Sequence, residues 1–453
     1  MTLAWIVFAI MVAFALYDTK KAILVWLPLR LLFNPQISLK YTAPALSVDL
    51  GVSLMLCAMY FLRYYGRESY HGLNRGRFIL IPVFFVTLFS YLISYSFSDI
   101  PISSSINATF KYFVMTFLLL YVFHKSLNSQ QDFKLFTKVV IVIVVLITAL
   151  GIYEFATGDN PFLDYVYLNT PHNDYLEGRM GYIPPSIGGN VRDRYGFVRC
   201  YSFFQLHLRF GTACVFLLFF VGTLVYSKIS DVVKRRYVVI CLALLIIGVF
   251  ISNSKQAYLS IIFVALCFYR LRKLLNYRII LPIIIVIFIW QYFPELFNNY
   301  FSLVDEELAE EGGGSTIELR KMQYDVAWDM FKLNPLVGNG PGSINAFKLA
   351  DDYYKGIRGA ESIWLDVLPE RGIIGAIAYL FMFIFLFNKG KKVIPSKPLF
   401  FYLLTIFVAE NAGGQKDATL YLCVLLAVMR YYQLYPINKN KSRFNNGNYS
   451  LSA

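Results

Sequence analysis

Charge is scarce in this chain. Only 15% of its 453 residues are Asp, Glu, Lys or Arg, against about 25% in a typical soluble domain. A single water-facing globule of this length is thereby excluded. Cysteine is sparse as well, and Cys57, Cys214, Cys241, Cys267 and Cys423 lie inside apolar runs, where the thiol acts as a small hydrophobe. Cys200 alone sits near a loop, and there is no C-x-x-C. Neither a disulfide framework nor a zinc site is supported. The four histidines, His71, His124, His172 and His207, lack metal-ligand spacing. No metal is expected, and no cofactor motif is found. Short alternating segments are missing, which excludes a transmembrane β-barrel. Internal repeats and inverted pairs of broken helices are missing too, which weakens a secondary-transporter reading.

Apolar residues are what the chain has: 57% are hydrophobic and 18% aromatic. They come in runs, such as TLAWIVFAIMVAFALY from Thr2 and FGTACVFLLFFVGTLVY from Phe210. A bilayer core needs roughly 17–25 such residues per helix, and backbone groups in lipid must bond internally. Spans are expected near 2–17, 45–62, 78–95, 107–123, 138–155, 203–226, 237–251, 257–269, 279–293, 372–388, 397–411 and 418–434. The run 22–33 is short and holds Pro28, so it can span or be re-entrant. The expected fold is therefore all-α, a polytopic transmembrane bundle of about twelve or thirteen helices. The first run lacks preceding basic residues and a following cleavage site, so it reads as a retained helix.

The spans divide the chain into transmembrane blocks 1–155, 203–293 and 372–434. Between them lie two large loops, 156–202 and 294–371, and a polar tail, 435–453, follows. Short connections rich in Lys and Arg begin at Arg63, His124, Ser227, Arg270 and Lys389, and all fall on one side. By the excess of basic residues that side is the cytoplasm, and the tail joins it. The long loops face outward and hold most of the acidic residues but few of the basic ones. The net charge of +14 is thus a topology signal. It is not the footprint of a nucleic-acid partner.

Outward cations are the candidates for chemistry. They are Arg192, Arg194 and Arg199 in the first loop, Lys255 in the short turn SNSKQA, and Arg320 and Arg358 in the second loop. A charge at a membrane boundary is costly unless paired or used. Arginine's planar fork suits phosphate, and converging cations stabilise a departing diphosphate. Glu361, where the chain turns back toward the membrane, is placed to take a proton from a hydroxyl. Between Arg320 and Glu361 lies LVGNGPGS, where Gly338, Gly340 and Gly342 let backbone approach another group closely. Each assignment has a plain rival. Arg192 and Arg194 can pair with Asp193 and Glu177. Lys255 can reach headgroups. Arg320 can pair with Glu318, and Glu361 can favour a helix start.

The order of these pieces resembles the O-antigen ligase and O-antigen polymerase superfamily. The matching residues are Ser254-Lys255, Arg320 followed by Trp328, PLVGNGPG from Pro335, and ESIWLDVLPERGIIG from Glu361. The resemblance covers roughly 200–388. It implies glycosyl transfer without a metal, from a saccharide on undecaprenyl diphosphate. The acceptor is a lipid-linked repeat unit in the polymerase branch and lipid A core in the ligase branch. A chain-length regulator is an implied partner. From the residues and the resemblance together, Glu361 and Arg320 are the catalytic candidates. Lys255, Arg199, Arg192, Arg194, Arg358, Gly340 and Gly342 are the substrate-binding candidates. The ligase pattern has Ser-Arg where this chain has Ser254-Lys255, and His-Asn where it has Glu361-Ser362. The second departure favours the polymerase branch. Pro171-His172-Asn173 also contains a His-Asn pair, but no GIIG follows it. A flippase for lipid-linked sugar is the reading of a different class.

Overall fold

The computed structural model describes residues 2–33, 37–40, 46–64, 88, 92, 110–111, 113–169, 193–194, 197–226, 232–268, 317–340, 343–344, 362–413 and 418–435. They are overwhelmingly helical. The helices are α1 (Thr2–Tyr17), α2 (Thr19–Leu29), α3 (Val48–Tyr64), α4 (Leu119–Ser126), α5 (Gln130–Thr157), α6 (Pro161–Asn169) and α7 (His207–Tyr226). Then follow α8 (Arg235–Ile251), α9 (Lys255–Phe268), α10 (Ile317–Leu333), α11 (Trp364–Gly390), α12 (Ser396–Gly413) and α13 (Ala418–Leu434). A π-helical turn, Phe113–Leu118, leads into α4. Two small antiparallel ribbons complete the description: β1 (Ser38–Lys40) with β2 (Leu46–Ser47), and β3 (Asp193–Arg194) with β4 (Phe197–Val198). The expected spans at 78–95 and 279–293 lie essentially outside the described residues.

Three helices among the described residues are long and apolar enough to cross a bilayer: α5, α7 over His207–Val225, and α11. Of these α7 is the central one, with 78% of its most apolar stretch buried against 44% for α5 and 33% for α11. Its Phe210, Phe216, Phe219 and Phe220 are buried, and the Phe219 ring stacks on Tyr402 of α12 at 4.0 Å. The outer helices present Val142, Ile152, Ile247, Phe250, Ile377 and Ile384 exposed. So much bare apolar surface suits lipid, not water. The chain is an integral membrane protein.

Polar contacts sort the helix ends into two sets. At one end Arg63 donates to the carbonyls of Ala15 and Leu16. There too the buried Arg430 donates to the carbonyl of His124 and to Asn128 Oδ1. Cys267 Sγ meets the Pro398 carbonyl at the same end. The short basic segments adjoin these residues. At the opposite end Glu154 meets residues 201–202, Ile251 meets Cys200, Thr212 meets Gln256, and Ile363 meets Glu410. Each of α5, α7, α8, α9, α11 and α12 runs from one set to the other. The short run at 22–33 becomes α2, which starts from an Asp18 N-cap near Arg63 and ends in a single 3₁₀ turn over Arg30–Leu32. Arg30 there pairs with Asp49 of α3 at 2.8 Å.

Candidate active site

The end of the bundle away from the basic segments gathers several of the candidate residues. Lys255 is the first residue of α9 and is half-buried, not a tip of the turn. The next residue, Gln256, is buried, and its Nε2 donates to Thr212 Oγ1 of α7 at 3.2 Å and to the Ala409 carbonyl of α12. The Ile363 amide donates to the next carbonyl of α12, that of Glu410, at 3.0 Å. Ser362 Oγ adds a bond to Asn411 Oδ1 at 3.3 Å. Gln256 and Ile363 therefore rest on consecutive carbonyls of one helix. Next to Arg199, the Cys200 amide donates to the Ile251 carbonyl at 3.1 Å, just before the turn that leads to Lys255.

A second junction ties α10, which carries position 320, to α11. Helix α10 ends at Leu333, directly before Asn334-Pro335. Proline's neighbour is biased out of the helical region, so the chain leaves the helix there. Helix α11 is broken at Gly372, whose φ of 58° and ψ of −159° are not helical. A break leaves carbonyls before it and amides after it without helical partners. The Asn334–Gly340 loop supplies them. Asn339 N donates to Pro369 O at 2.8 Å and Gly340 N to Glu370 O at 3.0 Å. In return Ile373 N donates to Pro335 O at 2.9 Å and Ile374 N to Leu336 O at 3.1 Å. The buried Asn339 side chain closes the joint through Met330 O and Pro369 O. Gly338, at φ 75°, has no room for a side chain: a Cβ there would lie 2.3 Å from Arg371 N. Gly340 also takes a positive φ, 96°.

Arg192, Arg358, Glu361 and Gly342 lie outside the described residues. Arg320 and Arg194 are described through their backbone alone, the first in α10 and the second in β3. Other polar residues belong to this end and were not singled out from motifs. Glu410 is buried, its carboxylate accepts from Tyr379 Oη of α11, and Arg371 lies within electrostatic reach of it. Glu154 is buried under residues 201–202. A carboxylate within an apolar run was the available signal for both, since intramembrane charge is costly unless it has work to do.

The fold is that of a membrane-embedded helix bundle with buried polar contacts at both ends. Residues 240–380 match the family model described as O-antigen ligase. The match takes in Lys255, Arg320, the PLVGNG loop and the Glu361–Gly375 segment, and it supports the O-antigen ligase and polymerase superfamily. Members of that family are glycosyltransferase-like enzymes that handle lipid-linked oligosaccharides. No curated protein and no solved structure matches the chain.

Proposed function

We propose that this protein polymerises oligosaccharide repeat units carried on undecaprenyl diphosphate, by glycosyl transfer without a metal, at the outer face of the cytoplasmic membrane. O-antigen, capsule and exopolysaccharide are the product classes. The observation that carries this reading is the seating of Gln256 and Ile363 on consecutive carbonyls of α12, with Cys200, the neighbour of Arg199, bonded to Ile251 just before the turn to Lys255. That seating packs the residue after Lys255 and the residue Ile363 against the same stretch of α12. In the proposed chemistry Arg320 and Lys255 bind the donor diphosphate and Arg199 assists. Arg192, Arg194 and Arg358 add positive charge along the loops, and Gly340 and Gly342 let backbone approach the substrate. Glu361 takes the proton of the acceptor hydroxyl. The hydroxyl oxygen then bonds to the donor's anomeric carbon as the bond from that carbon to diphosphate breaks. The cations stabilise the charge that collects on the leaving group. The excess of Lys and Arg in the short segments supports the outward orientation.

Arg320→Ala and Glu361→Ala are expected to abolish long-chain polysaccharide on a gel while the proteins reach the membrane at normal levels. Normal banding from either variant sinks the site assignment. Glu361-Ser362, in place of the ligase pattern's His-Asn, favours polymerase over ligase. Deleting the gene is expected to leave single repeat units. Long polymer retained on the lipid carrier, unattached to core, would instead identify a ligase. Reconstituted protein that moves labelled lipid-linked sugar without elongating it would favour the flippase.

A further inference from the structure

Glu154 is fully buried at the end of α5. Its Oε2 accepts from Asn160 Nδ2 at 2.8 Å, from the Tyr201 amide at 2.9 Å and from the Ser202 amide at 2.8 Å. Asn160 is buried too; it donates to Ser202 O at 2.9 Å and accepts from the Leu163 amide at 3.0 Å. Ser202 Oγ donates to Ile147 O at 2.6 Å. Residues 201–202 are thus strapped to α5, and Cys200 is strapped to α8 through Ile251 O. Arg199 lies directly before both straps. A carboxylate taken out of water needs such bonds to replace its hydration. A well-packed apolar residue would hold the same space without that cost. Stability alone is therefore a poor account of Glu154.

Backbone strain points the same way. Among the described residues, the non-glycine residues with positive φ are Ser202, at 54°, and Asn253, at 46°. Side chains disfavour that region, and residues persist there where the surroundings over-determine them. Ser202 follows Arg199 closely, and Asn253 precedes Lys255 closely. The strained turns flank the two cations.

We propose that Glu154 is a positioning residue: it holds residues 200–202 in their strained turn and so sets Arg199 beside Lys255, on the diphosphate of a polyprenyl-linked sugar. This rests on the reading of Arg199 and Lys255 as diphosphate ligands given above. Glu154 itself touches no substrate. A carboxylate in an apolar run also suits a proton carrier, but three fixed protein donors on Oε2 give this one a structural task.

The test uses the full chain in nanodiscs: wild type, Glu154→Ala, Asn160→Ala, Arg199→Ala and the Glu154→Ala/Arg199→Ala double variant. Hydrogen exchange is followed in peptides covering 199–206, alongside transfer kinetics on a synthetic undecaprenyl-diphosphate-linked repeat unit. Glu154→Ala is expected to speed exchange at Tyr201 and Ser202 by about tenfold or more. It should raise KM for the donor by about tenfold with kcat changed by less than about threefold. The double variant should lose no more activity than Arg199→Ala, because one residue acts through the other. Asn160→Ala keeps the carboxylate and carries the same test if the alanine at 154 does not fold. Unchanged exchange overturns the clamp, and losses that multiply in the double variant overturn its action through Arg199. Wild-type protein that transfers no glycan sinks the functional reading and the diphosphate role with it, while the exchange data still decide the clamp.

Discussion

The joint between the Asn334–Gly340 loop and α11 is built mainly from backbone, whereas the cap around Arg199 is gathered mainly by one buried side chain, Glu154. In the first, amides and carbonyls of two segments exchange hydrogen bonds, and glycines at 338 and 372 clear the space. In the second, Glu154 gathers donors that lie 47 and 48 residues away in sequence. Backbone joints are rigid and tolerate no added atoms, because a Cβ has nowhere to go. Side-chain joints depend on a charge staying satisfied, so they fail when the partner is removed and not when bulk is added. One end of the bundle is held by both kinds of joint. In the proposed reaction, that combination would keep α10 and α11 in a fixed register while the cations take the anionic substrate.

The comparison can be broken first at the glycines. Gly372→Ala would place a Cβ 2.5 Å from Leu336 O, at a φ of 58°. Gly338→Ala meets backbone at 2.3 Å. Each is expected to cost about 3 kcal/mol or more and to remove long-chain polysaccharide. Thermal unfolding in detergent together with a polysaccharide gel checks both, and near-wild-type behaviour of either would show that the joint opens. Next in size is Gln256→Ala, which strips the α9 contacts to Thr212 and Ala409. A loss of about 1–2 kcal/mol is expected, with transfer slowed about tenfold, as kinetics on purified protein can measure. Smallest is Gly158→Ala. This αL cap of α5 has φ 75°, and a Cβ added there would meet no atom within 4 Å. Conformational strain alone should cost about 1 kcal/mol with activity unchanged. If it proved as damaging as Gly338→Ala, positive φ and not crowding would be what the backbone joint depends on.

Legibility in the sequence followed the same division. Hydropathy marks a helix because lipid demands a long apolar run, so α1, α7, α8 and α13 lie within a few residues of the runs that announce them. It marks their ends poorly. Helix α5 starts at Gln130 with a Ser129–Asp132 capping box, ahead of the apolar run itself. Helix α11 starts at Trp364, ahead of the Gly372 break, because the loop from α10 can satisfy a broken backbone that hydropathy cannot see. The PLVGNG loop was readable as a place of close approach, since glycine at close spacing has few other uses. What it approaches was not readable, because Pro369 and Glu370 carry no pairing signal of their own.

The sequence by itself determined that this is a membrane helix bundle, and it pointed to the long loops for the chemistry. Apolar run length, the Lys and Arg of the short connections, and the order Lys255, Arg320, PLVGNG, Glu361 are local properties that survive without a fold. Tertiary structure alone decided that Cys200 reaches Ile251, that Gln256 and Ile363 sit on neighbouring carbonyls of α12, and that Glu154 bonds the turn at Ser202. Those contacts join distant segments through single hydrogen bonds. Nothing in local composition encodes which buried donor an unpaired carbonyl or carboxylate will find; packing of the helices settles it.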